Sequence, residues 1–334
     1  MTTIDPCLVP NKKLFDGTPI PAVGLGTFGS DHADENAVAR MVYDAARAGY
    51  RLFDCAAVYG NEPQIGEVFQ RLFRERMVER QDITVISKVW NDMHGKGDVL
   101  LSCARTLRDL QLEYLDLYLV HWPFRNTHLA GCDGDARNPD SRPFSVDDYL
   151  ETWRQMERLV KRGLVKQIGM SNMTLPKLKA VLPECGIKPA VMEMELHPGF
   201  QQKELFDYCV ANEILPIGYC PLGSPARPER DKAPEDVSPT EMAVVRKIAQ
   251  SHSISPAAVC IKWAVQRGQV PIPFSLHHYA ENLSCALDDP LSASEMAAIA
   301  EADAHCRLIK GQVFLWESAN GWEDLWDIDG VITQ

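Results

Sequence analysis

The chain lacks the long apolar runs that membrane insertion requires. Its 334 residues contain no uninterrupted stretch close to the roughly 20 apolar residues of a spanning helix. The opening MTTIDPCLVPNKK does not join a basic segment to an apolar core, as a secretion signal does. Basic residues are also few, and the formal net charge is −12. Because nucleic acids are bound by basic faces, we expect no nucleic-acid binding. The lack of a spanning run and of a secretion signal predicts a soluble cytoplasmic protein that does not bind membranes.

Two motifs are absent as well. The ten cysteines are scattered singly, and no pair has the C-x-x-C spacing of a metal site, so we expect reduced thiols and no metal. No GxGxxG follows a predicted strand, and GLGTF resembles that fingerprint only superficially. What the chain does have is a 46% hydrophobic content, which is enough for a large core.

Short β-rich runs alternate with longer amphipathic stretches such as ENAVARMVYDAARAG, whose apolar residues recur three and four apart. Eight such units predict a closed (β/α)8 TIM barrel of the α/β class, with residues 1–334 forming one domain. A doubly wound sheet is the alternative. An N-terminal β-hairpin is predicted around KLFDGTPIP. The predicted barrel strands are residues 23–28, 50–56, 83–90, 115–122, 165–172, 190–196, 215–222 and 270–275.

Two segments fall outside this repeat. Residues 123–146 form a polar loop after the fourth strand, rich in Pro, Gly and Asp, and we interpret this long loop as a lid. Residues 307–334 form a C-terminal tail with three of the seven tryptophans. A tail so apolar is predicted to fold back over the barrel mouth.

Polar residues stand where several predicted strands end, which in a TIM barrel is where active sites lie. The second strand ends at Asp54, with Tyr59 in the following loop; the third carries Lys88, and the fourth ends at His121. Each residue alone is compatible with a structural ion pair or with packing. Together they favour carbonyl reduction. A tyrosine has a pKa of about 10, and a nearby ammonium held by a carboxylate would lower it, while a histidine orients the carbonyl.

These residues lie in motifs that resemble those of the aldo-keto reductase family. The motifs are GYRLFDCAAVYGNEPQIGE, ISKVW and LYLVHWP, followed by GMSN, EMELHP and YCPLGSP, so the resemblance covers nearly the whole chain. It implies that Tyr59 donates a proton, that Lys88 and Asp54 tune Tyr59, and that His121 orients the carbonyl. Hydride would come from NAD(P)H.

The same resemblance implies a cofactor that lies extended across the barrel mouth. Tyr219 would stack on the nicotinamide ring, and Ser171 and Asn172 would hold the carboxamide. The remaining implied contacts are Thr27 and Asp54 at the ribose, Leu222, Gly223 and Ser224 around the pyrophosphate, and Ser275, Glu281 and Asn282 at the adenosine.

Two departures from the family pattern concern the cofactor. Glu193 stands where the family usually has a glutamine that completes the carboxamide clamp; a carboxylate accepts hydrogen bonds but does not donate them. It is alternatively a carboxylate that works on a polar substrate. In IPFSLHHYAEN, Phe274 replaces a lysine and an arginine is missing. Because both normally grip the 2′-phosphate of NADP, we predict a relaxed preference or a shift towards NAD(H), with His277 or His278 as a weaker substitute.

The substrate side is predicted from aromatic residues. Phe28, Trp90 and Trp122 would form an apolar wall around the carbonyl beside His121, closed by the lid and the tail. Within the lid, a polyol or sugar would meet polar side chains, although a solvated loop is the preferred interpretation of the same residues. These lid residues are Arg125, Asp133, Asp135 and Arg137.

Three functions remain open at this point. The first is NAD(P)H-dependent reduction of aldehydes or ketones, with sugar-like carbonyls as one class. The second is a cofactor-binding regulatory subunit with little turnover, and the third is a Schiff-base aldolase with Lys88 as nucleophile. A closed barrel has no sheet edge that requires pairing, so a monomer suffices and a dimer is possible.

Overall fold

The computed structural model describes residues 3–29, 32–129, 132–133, 136–225, 227–287 and 289–333. Eight parallel strands form one sheet in which neighbours follow chain order. The first strand meets the last, because the backbone N–H groups of Gly24 and Gly26 donate to the carbonyls of Pro271 (3.0 Å) and Pro273 (3.1 Å). The sheet is therefore a closed barrel, which confirms the TIM-barrel prediction over the doubly wound alternative.

All eight predicted strands are present, within narrower bounds because the chain leaves the sheet early to build loops at the mouth. The barrel strands are β3 Leu25–Gly26, β4 Leu52–Asp54, β5 Thr84–Val89, β6 Leu115–Val120, β7 Val165–Ser171, β8 Val191–Glu195, β9 Leu215–Tyr219 and β10 Val270–Pro271.

Helices cover the outside of the barrel, and polar side chains cap the N-termini of several of them. Asp34 accepts a hydrogen bond from the backbone N–H of Ala37 at the start of the first helix, and Ser145 and Ser255 cap two later ones. The helices are α1 Glu35–Ala48, α2 Glu62–Arg74, α3 Asp98–Asp109, α4 Val146–Lys161, α5 Leu175–Val181, α6 Lys203–Ala211, α7 Ala243–His252, α8 Pro256–Arg267, α9 Tyr279–Ser284, α10 Ala293–Glu301 and α11 Glu323–Trp326. In the ranges described, no helix is both long and apolar enough to cross a membrane.

The predicted N-terminal hairpin is present. Its strands β1 (Asn11–Lys13) and β2 (Pro19–Pro21) pair antiparallel. Leu14 and Ile20 pack against barrel-interior side chains such as Leu52. Because the hairpin contributes to this packed interior, the interior is a core and not a channel, and a ligand has to bind at the mouth.

The C-terminal tail folds back over the barrel mouth, as predicted. The Phe314 ring lies 4.8 Å from that of Trp122, and the Trp326 ring lies 5.6 Å from it, measured between centroids. These three aromatic side chains are buried together. The tail thus forms a roof above the fourth strand of the barrel.

Two polar anchors fix this roof at its ends. Near its start, Glu195 on β8 accepts hydrogen bonds from the backbone N–H groups of Leu308 (2.7 Å) and Ile309 (3.0 Å). Near its end, the Lys177 ammonium on α5 lies 2.9 Å from the Asp327 carboxylate, and Thr174 also donates to that carboxylate. The Lys177–Asp327 ion pair is buried. The residues between the anchors cover the mouth.

Candidate active site

A cavity of about 980 Å3 lies between the carboxyl ends of the strands and the tail. Most of the predicted site residues line it, although Lys88 lies beneath its surface, and neither Gly223 nor His277 is among its lining residues. The predicted residues that line the cavity are Thr27, Phe28, Asp54, Tyr59, Trp90, His121, Trp122, Ser171, Asn172, Glu193, Tyr219, Leu222, Ser224, Phe274, Ser275, His278, Glu281 and Asn282.

Lys88 lies between two carboxyl groups at what we name the reaction end of the cavity, formed by Asp54, Tyr59, Lys88, His121 and Glu193. The Lys88 Nζ is 2.6 Å from Asp54 Oδ1 and 3.3 Å from Glu193 Oε1. It also donates to the Cys55 carbonyl at 3.1 Å. The Lys88 side chain is fully buried, so these carboxyl groups neutralise a charge that water cannot reach.

Barrel closure creates this contact. Lys88 is on β5 and Glu193 is on β8, three strands further along the sheet. In a flat sheet, three strand spacings of about 4.8 Å would separate them by roughly 14 Å. Since the closed barrel turns both side chains towards its axis, the gap shrinks to an ion-pair distance of 3.3 Å.

The three buried groups shift one another's protonation. Burial alone would lower the pKa of Lys88, but the charges of Asp54 and Glu193 raise that pKa well above its ordinary value. Burial raises the pKa of Asp54, although the neighbouring Lys88 acts in the opposite direction. Burial and the charge of Asp54 raise the pKa of Glu193 to about 8. Lys88 is therefore a permanent cation, and Glu193 holds a proton at neutral pH.

Tyr59 ends a single 3-10 turn, Ala57–Tyr59, directly after β4. The Lys88 Nζ is 5.4 Å from the centroid of its ring. Burial raises the pKa of Tyr59 above its ordinary value, and the charge of Lys88 lowers it by less than burial raises it. The expected influence of Lys88 is present, but the net shift is upward because a buried phenolate is poorly solvated. Tyr59 is therefore protonated at neutral pH.

His121 follows β6 and faces the same space. Its ring centroid is 5.9 Å from that of Tyr59. Burial and the charge of Lys88 hold the pKa of His121 well below its ordinary value, so the ring is neutral. Its buried Nδ1 has no hydrogen-bond partner in the described part of the protein.

Ser171, Asn172 and Tyr219 form a connected group beside the reaction end. The Tyr219 hydroxyl donates to Asn172 Oδ1 at 2.6 Å, and Asn172 Nδ2 donates to the His121 carbonyl at 2.9 Å. The amide also lies 3.2 Å from Ser171 Oγ. These bonds fix the Asn172 amide and place the Tyr219 ring at the cavity wall. Asn172 is therefore held by its neighbours and does not cap the following helix, whose N-cap is Thr174.

Thr27 has a structural contact that the sequence did not reveal. Its hydroxyl donates to the Asp54 carbonyl at 2.7 Å, and its own carbonyl accepts from Asn61 at 2.8 Å. Since the hydroxyl is already used, Thr27 positions the strand end that carries Asp54.

Aromatic rings lie around the reaction end. The Phe28 ring lies 5.0 Å from that of Tyr59, and Trp90 lies 5.0 Å from His121. Phe314 of the tail completes this wall at 5.8 Å from Trp90. The tail's tryptophans predicted a roof, but no periodicity marked Phe314 itself. These side chains make the space above Tyr59 apolar.

A second part of the cavity, which we name the far end, is lined by Phe274, Ser275, His278, Glu281 and Arg246. Glu281 accepts a hydrogen bond from Ser255 at 2.7 Å, and its carboxylate lies 3.3 Å from His278 Nδ1. Arg246 lies 3.3 Å from Glu241, and its side chain is 60% exposed. Of the two histidines proposed as cation substitutes, the structure places His278 and not His277 in the cavity wall.

The loop beyond Ser224 also lines the cavity, and its two arginines were not predicted from the sequence. Arg227 and Arg230 line the cavity. The Arg227 guanidinium pairs with Asp236 and donates to the carbonyls of Gly223 (3.3 Å) and Ser224 (3.2 Å). Gly223 has a φ of +84°, and a Cβ at this residue would lie 2.4 Å from Pro239. The run SPARPERDKAPEDVSP after a strand-end YCPLG was the available signal.

The predicted polar lid residues that the structure describes are not among those lining the main cavity. Arg125 lines a separate cavity of about 240 Å3 and lies 3.5 Å from Glu151. Asp133 is exposed, Arg137 is absent from the main cavity wall, and Asp135 lies outside the described residues. The lid contributes His128 to the main cavity instead. The preferred interpretation of Arg125 and Asp133 as part of a solvated loop fits better than sugar contacts.

The donor set of the cavity fits a nicotinamide cofactor. Glu193 Oε2 and His121 Nδ1 are buried polar atoms without a partner among the described residues, and both residues line the cavity. Buried polar atoms of this kind are normally satisfied by a bound group or by water. An aromatic ring, an amide and a hydroxyl stand beside them in Tyr219, Asn172 and Ser171.

Comparison with known proteins gives the family. The aldo/keto reductase family model matches residues 22–304. An aldo/keto reductase of Synechocystis is 38% identical over 321 residues, covering 94% of this chain and 95% of its own. Aldo-keto reductase family 1 member A1 of Xenopus tropicalis is 38% identical over 302 residues, covering 89% of this chain and 90% of its own.

Solved structures agree. A Bombyx mori aldo-keto reductase in complex with NADP has a TM-score of 0.79 at 29% identity, covering 92% of this chain and 96% of its own. An aldo-keto reductase complexed with NADPH has a TM-score of 0.79 at 32% identity, with 90% of each chain covered. The resemblance in the motifs is thereby confirmed. The chain belongs to the aldo/keto reductase family of NAD(P)-dependent oxidoreductases.

Proposed function

We propose that this protein reduces aldehydes or ketones to alcohols with NAD(P)H, and that Tyr59 supplies the proton. The observation that carries the proposal is the reaction end itself. A protonated phenol, a neutral imidazole with an unsatisfied Nδ1 and a buried lysine between two carboxyl groups face one apolar wall. This arrangement positions a carbonyl oxygen between hydrogen-bonding groups.

The residues around the reaction end have different roles in the proposed reaction. His121 and Tyr59 hold the carbonyl oxygen, while Phe28 and Trp90 exclude water. A reduced nicotinamide, when bound, would supply the hydride that the carbonyl carbon takes up as its π bond opens. The Tyr59 proton then transfers to the oxygen, so a two-electron reduction of the carbonyl yields the alcohol. Lys88 stabilises the phenolate left behind, and Asp54 keeps Lys88 charged and oriented.

Cofactor binding is proposed along the cavity. Tyr219 would pack on the nicotinamide ring, with Ser171, Asn172 and Glu193 at its carboxamide. The segment around Leu222, Gly223 and Ser224 would hold the pyrophosphate through backbone groups, with Thr27 and Asp54 near the ribose. The adenosine would contact Ser275, Glu281 and Asn282. The neighbouring structures' NADP and NADPH support a nicotinamide cofactor of this class.

The preference between NADPH and NADH is proposed to be relaxed or shifted towards NADH. Phe274 offers no charge to a 2′-phosphate, and His278 already lies 3.3 Å from the Glu281 carboxylate. Arg246 is the remaining cation among the far-end residues, and it is mostly exposed. Exposed ion pairs contribute little, so Arg246 does not replace a buried bidentate contact.

The two alternatives have less support. An aldolase requires a neutral Lys88 nucleophile, whereas two carboxylates hold the Lys88 pKa well above its ordinary value. The regulatory-subunit hypothesis finds no support among the relatives, which are named as reductases. That the whole chain is one domain, that it is cytoplasmic and that it works as a monomer stay predictions.

The test is consumption of NADH and of NADPH, in parallel, with a panel of small aldehydes, aldose sugars and sugar acids. Turnover that Tyr59→Phe abolishes while cofactor binding persists supports the reductase. Cofactor binding without turnover for any substrate would favour the regulatory subunit. Borohydride trapping of substrate carbon on Lys88 would favour the aldolase.

A further inference from the structure

We infer that Glu193 selects the redox state of the cofactor: its ionised form favours the oxidised, positively charged nicotinamide, and its neutral form removes that preference. This inference rests on the proposed function, because it requires a nicotinamide at the reaction end. It concerns this chain's own glutamate, in a position where the family pattern has a neutral amide.

Geometry places Glu193 where its charge acts. Its Oε1 lies 3.3 Å from Lys88 Nζ, and its Oε2 is buried without a partner among the described residues. Glu193 lines the cavity, and its side chain is 3% exposed. Water therefore screens its charge poorly, and the charge acts on a group bound in the cavity through a medium of low dielectric.

The net charge of the cluster changes with this one proton. Asp54 and Lys88 form an ion pair at 2.6 Å and cancel each other. With Glu193 neutral, the cluster of the three groups has no net charge; with Glu193 ionised, it carries one negative charge. An oxidised nicotinamide ring is a cation, and the reduced ring is neutral. The negative cluster thus stabilises only the oxidised ring.

The ring has to lie close to this cluster if hydride is to reach a carbonyl held by Tyr59. Reacting atoms approach to about 3–3.5 Å in a productive complex. Because Lys88 lies 5.4 Å from the Tyr59 ring and 3.3 Å from Glu193, a nicotinamide beside that carbonyl is within range of the Glu193 charge. The inference therefore needs no detailed cofactor geometry.

Glu62 on α2 titrates in the same pH range, because burial raises its pKa to about 7, and its charge interacts with Lys88. Glu62 is retained in Glu193→Gln, so that variant separates its titration from that of Glu193. The groups described next face Glu193 from neighbouring elements and keep one charge state between about pH 6 and pH 9. The pKa values of Tyr59, Tyr219 and Cys220 are raised by burial, so these groups stay neutral. Lys88 has a raised pKa and stays charged. His121 has a lowered pKa and stays neutral. Asp54 remains paired with Lys88.

The experiment measures binding of NAD+ and NADH to the full chain from about pH 6 to pH 9, by tryptophan fluorescence. With a Glu193 pKa of about 8, lowered by about one unit beside the cationic ring, the affinity for NAD+ should rise close to tenfold over this range. The affinity for NADH should stay flat. NAD+ and NADH are used because neither has a 2′-phosphate, whose own titration would complicate the pH dependence.

Variants isolate Glu193. Glu193→Gln keeps the shape and removes the charge, so its NAD+ affinity should be flat with pH. Glu213→Gln, at a surface glutamate paired with Lys188, is the matched control and should behave as the wild type. An unchanged pH dependence in Glu193→Gln, or a flat ratio in the wild type, overturns the inference while the proposed function stands.

Proton release gives a second readout that does not depend on the variant's folding. In weakly buffered solution near pH 7.5, NAD+ binding by the wild type should release about half a proton per site, and NADH binding should release none. Equal release by both nucleotides overturns the inference. If neither NAD+ nor NADH binds, the same proton release is measured with NADP+ and NADPH, and failure of all four nucleotides to bind overturns the proposed function together with the inference, so the two failures are distinguishable.

Discussion

The two ends of the cavity differ in the burial and pairing of their charged side chains. At the reaction end, Lys88 is fully buried and held by two carboxyl groups. At the far end, Arg246 and His278 are mostly exposed, and each lies near one carboxylate among the residues described. A buried charge without a partner is costly, whereas an exposed charge can be lost cheaply. The reaction end is thus constrained by stability as well as chemistry, and the far end by affinity alone.

The largest effect should come from removing the proton donor. Tyr59→Phe keeps the ring that packs against Phe28 at 5.0 Å but removes the hydroxyl. We expect kcat for carbonyl reduction to fall by about 10²–10⁴-fold, with cofactor affinity almost unchanged. Stopped-flow or steady-state NADPH consumption measures the loss, and fluorescence titration measures the affinity. Near-wild-type turnover would remove Tyr59 from the mechanism.

Removing the central cation should test whether stability constrains the reaction end. Lys88→Met leaves Asp54 and Glu193 buried without their ammonium, at a cost of about 3–5 kcal/mol in the free energy of unfolding. The pKa of each remaining carboxyl group is higher in the folded protein than in the unfolded chain. Folding at neutral pH therefore requires these groups to take up protons. The cost should therefore be small in acid and grow as pH rises above about 4.

Urea denaturation at about pH 5 and pH 8 measures this cost. Lys188→Met, which breaks the surface pair with Glu213, is the matched control and should cost less than about 1 kcal/mol. Carbonyl reduction by Lys88→Met should also be suppressed at neutral pH, because Lys88 lowers the pKa of Tyr59. Equal stability losses in the two variants would break the comparison between buried and exposed charges.

Adding a cation at the far end should change affinity without changing chemistry. Phe274→Lys restores the residue type that the family pattern has at this position, and the ratio of kcat/KM for NADPH over NADH should rise about tenfold. Phe274→Met is the control, since it changes packing but adds no charge. If both variants alter the ratio equally, packing and not charge sets the preference.

The smallest effect should follow the loss of the exposed arginine. Arg246→Ala should lower the same NADPH to NADH ratio by no more than about fivefold, and the difference should vanish as salt is raised. Parallel assays in low and high salt measure it. A large, salt-independent loss would mean that Arg246 becomes buried against the phosphate, and the far end would then resemble the reaction end.

The sequence predicted the barrel and the reaction end well for a physical reason. Strand periodicity fixes which residue ends each strand, and barrel closure brings those ends together. Asp54, Lys88 and His121 could therefore be grouped before any coordinates were considered. The Glu193 contact with Lys88 could not, because the two residues are 105 positions apart and no local pattern measures the curvature of a sheet.

The rest of the cavity comes from segments without periodicity. Arg227 and Arg230 lie in a loop whose path depends on the Asp236 pair and on packing at Pro239. Phe314 was not singled out for the same reason, although the tail's composition correctly predicted a roof. Lys88 was expected to lower the pKa of Tyr59, and its effect has that sign; the larger opposing effect of burial depends on depth, which sequence does not measure.

The C-terminal tail is attached to the barrel at two places. Glu195 holds residues 308 and 309, while Lys177 and Thr174 hold Asp327. The span between these attachments packs Phe314 and Trp326 against Trp122 and contributes no member of the Asp54, Lys88 and Glu193 cluster. A substitution in the span would therefore reshape the space above the reaction end and leave the buried charges beneath it in place.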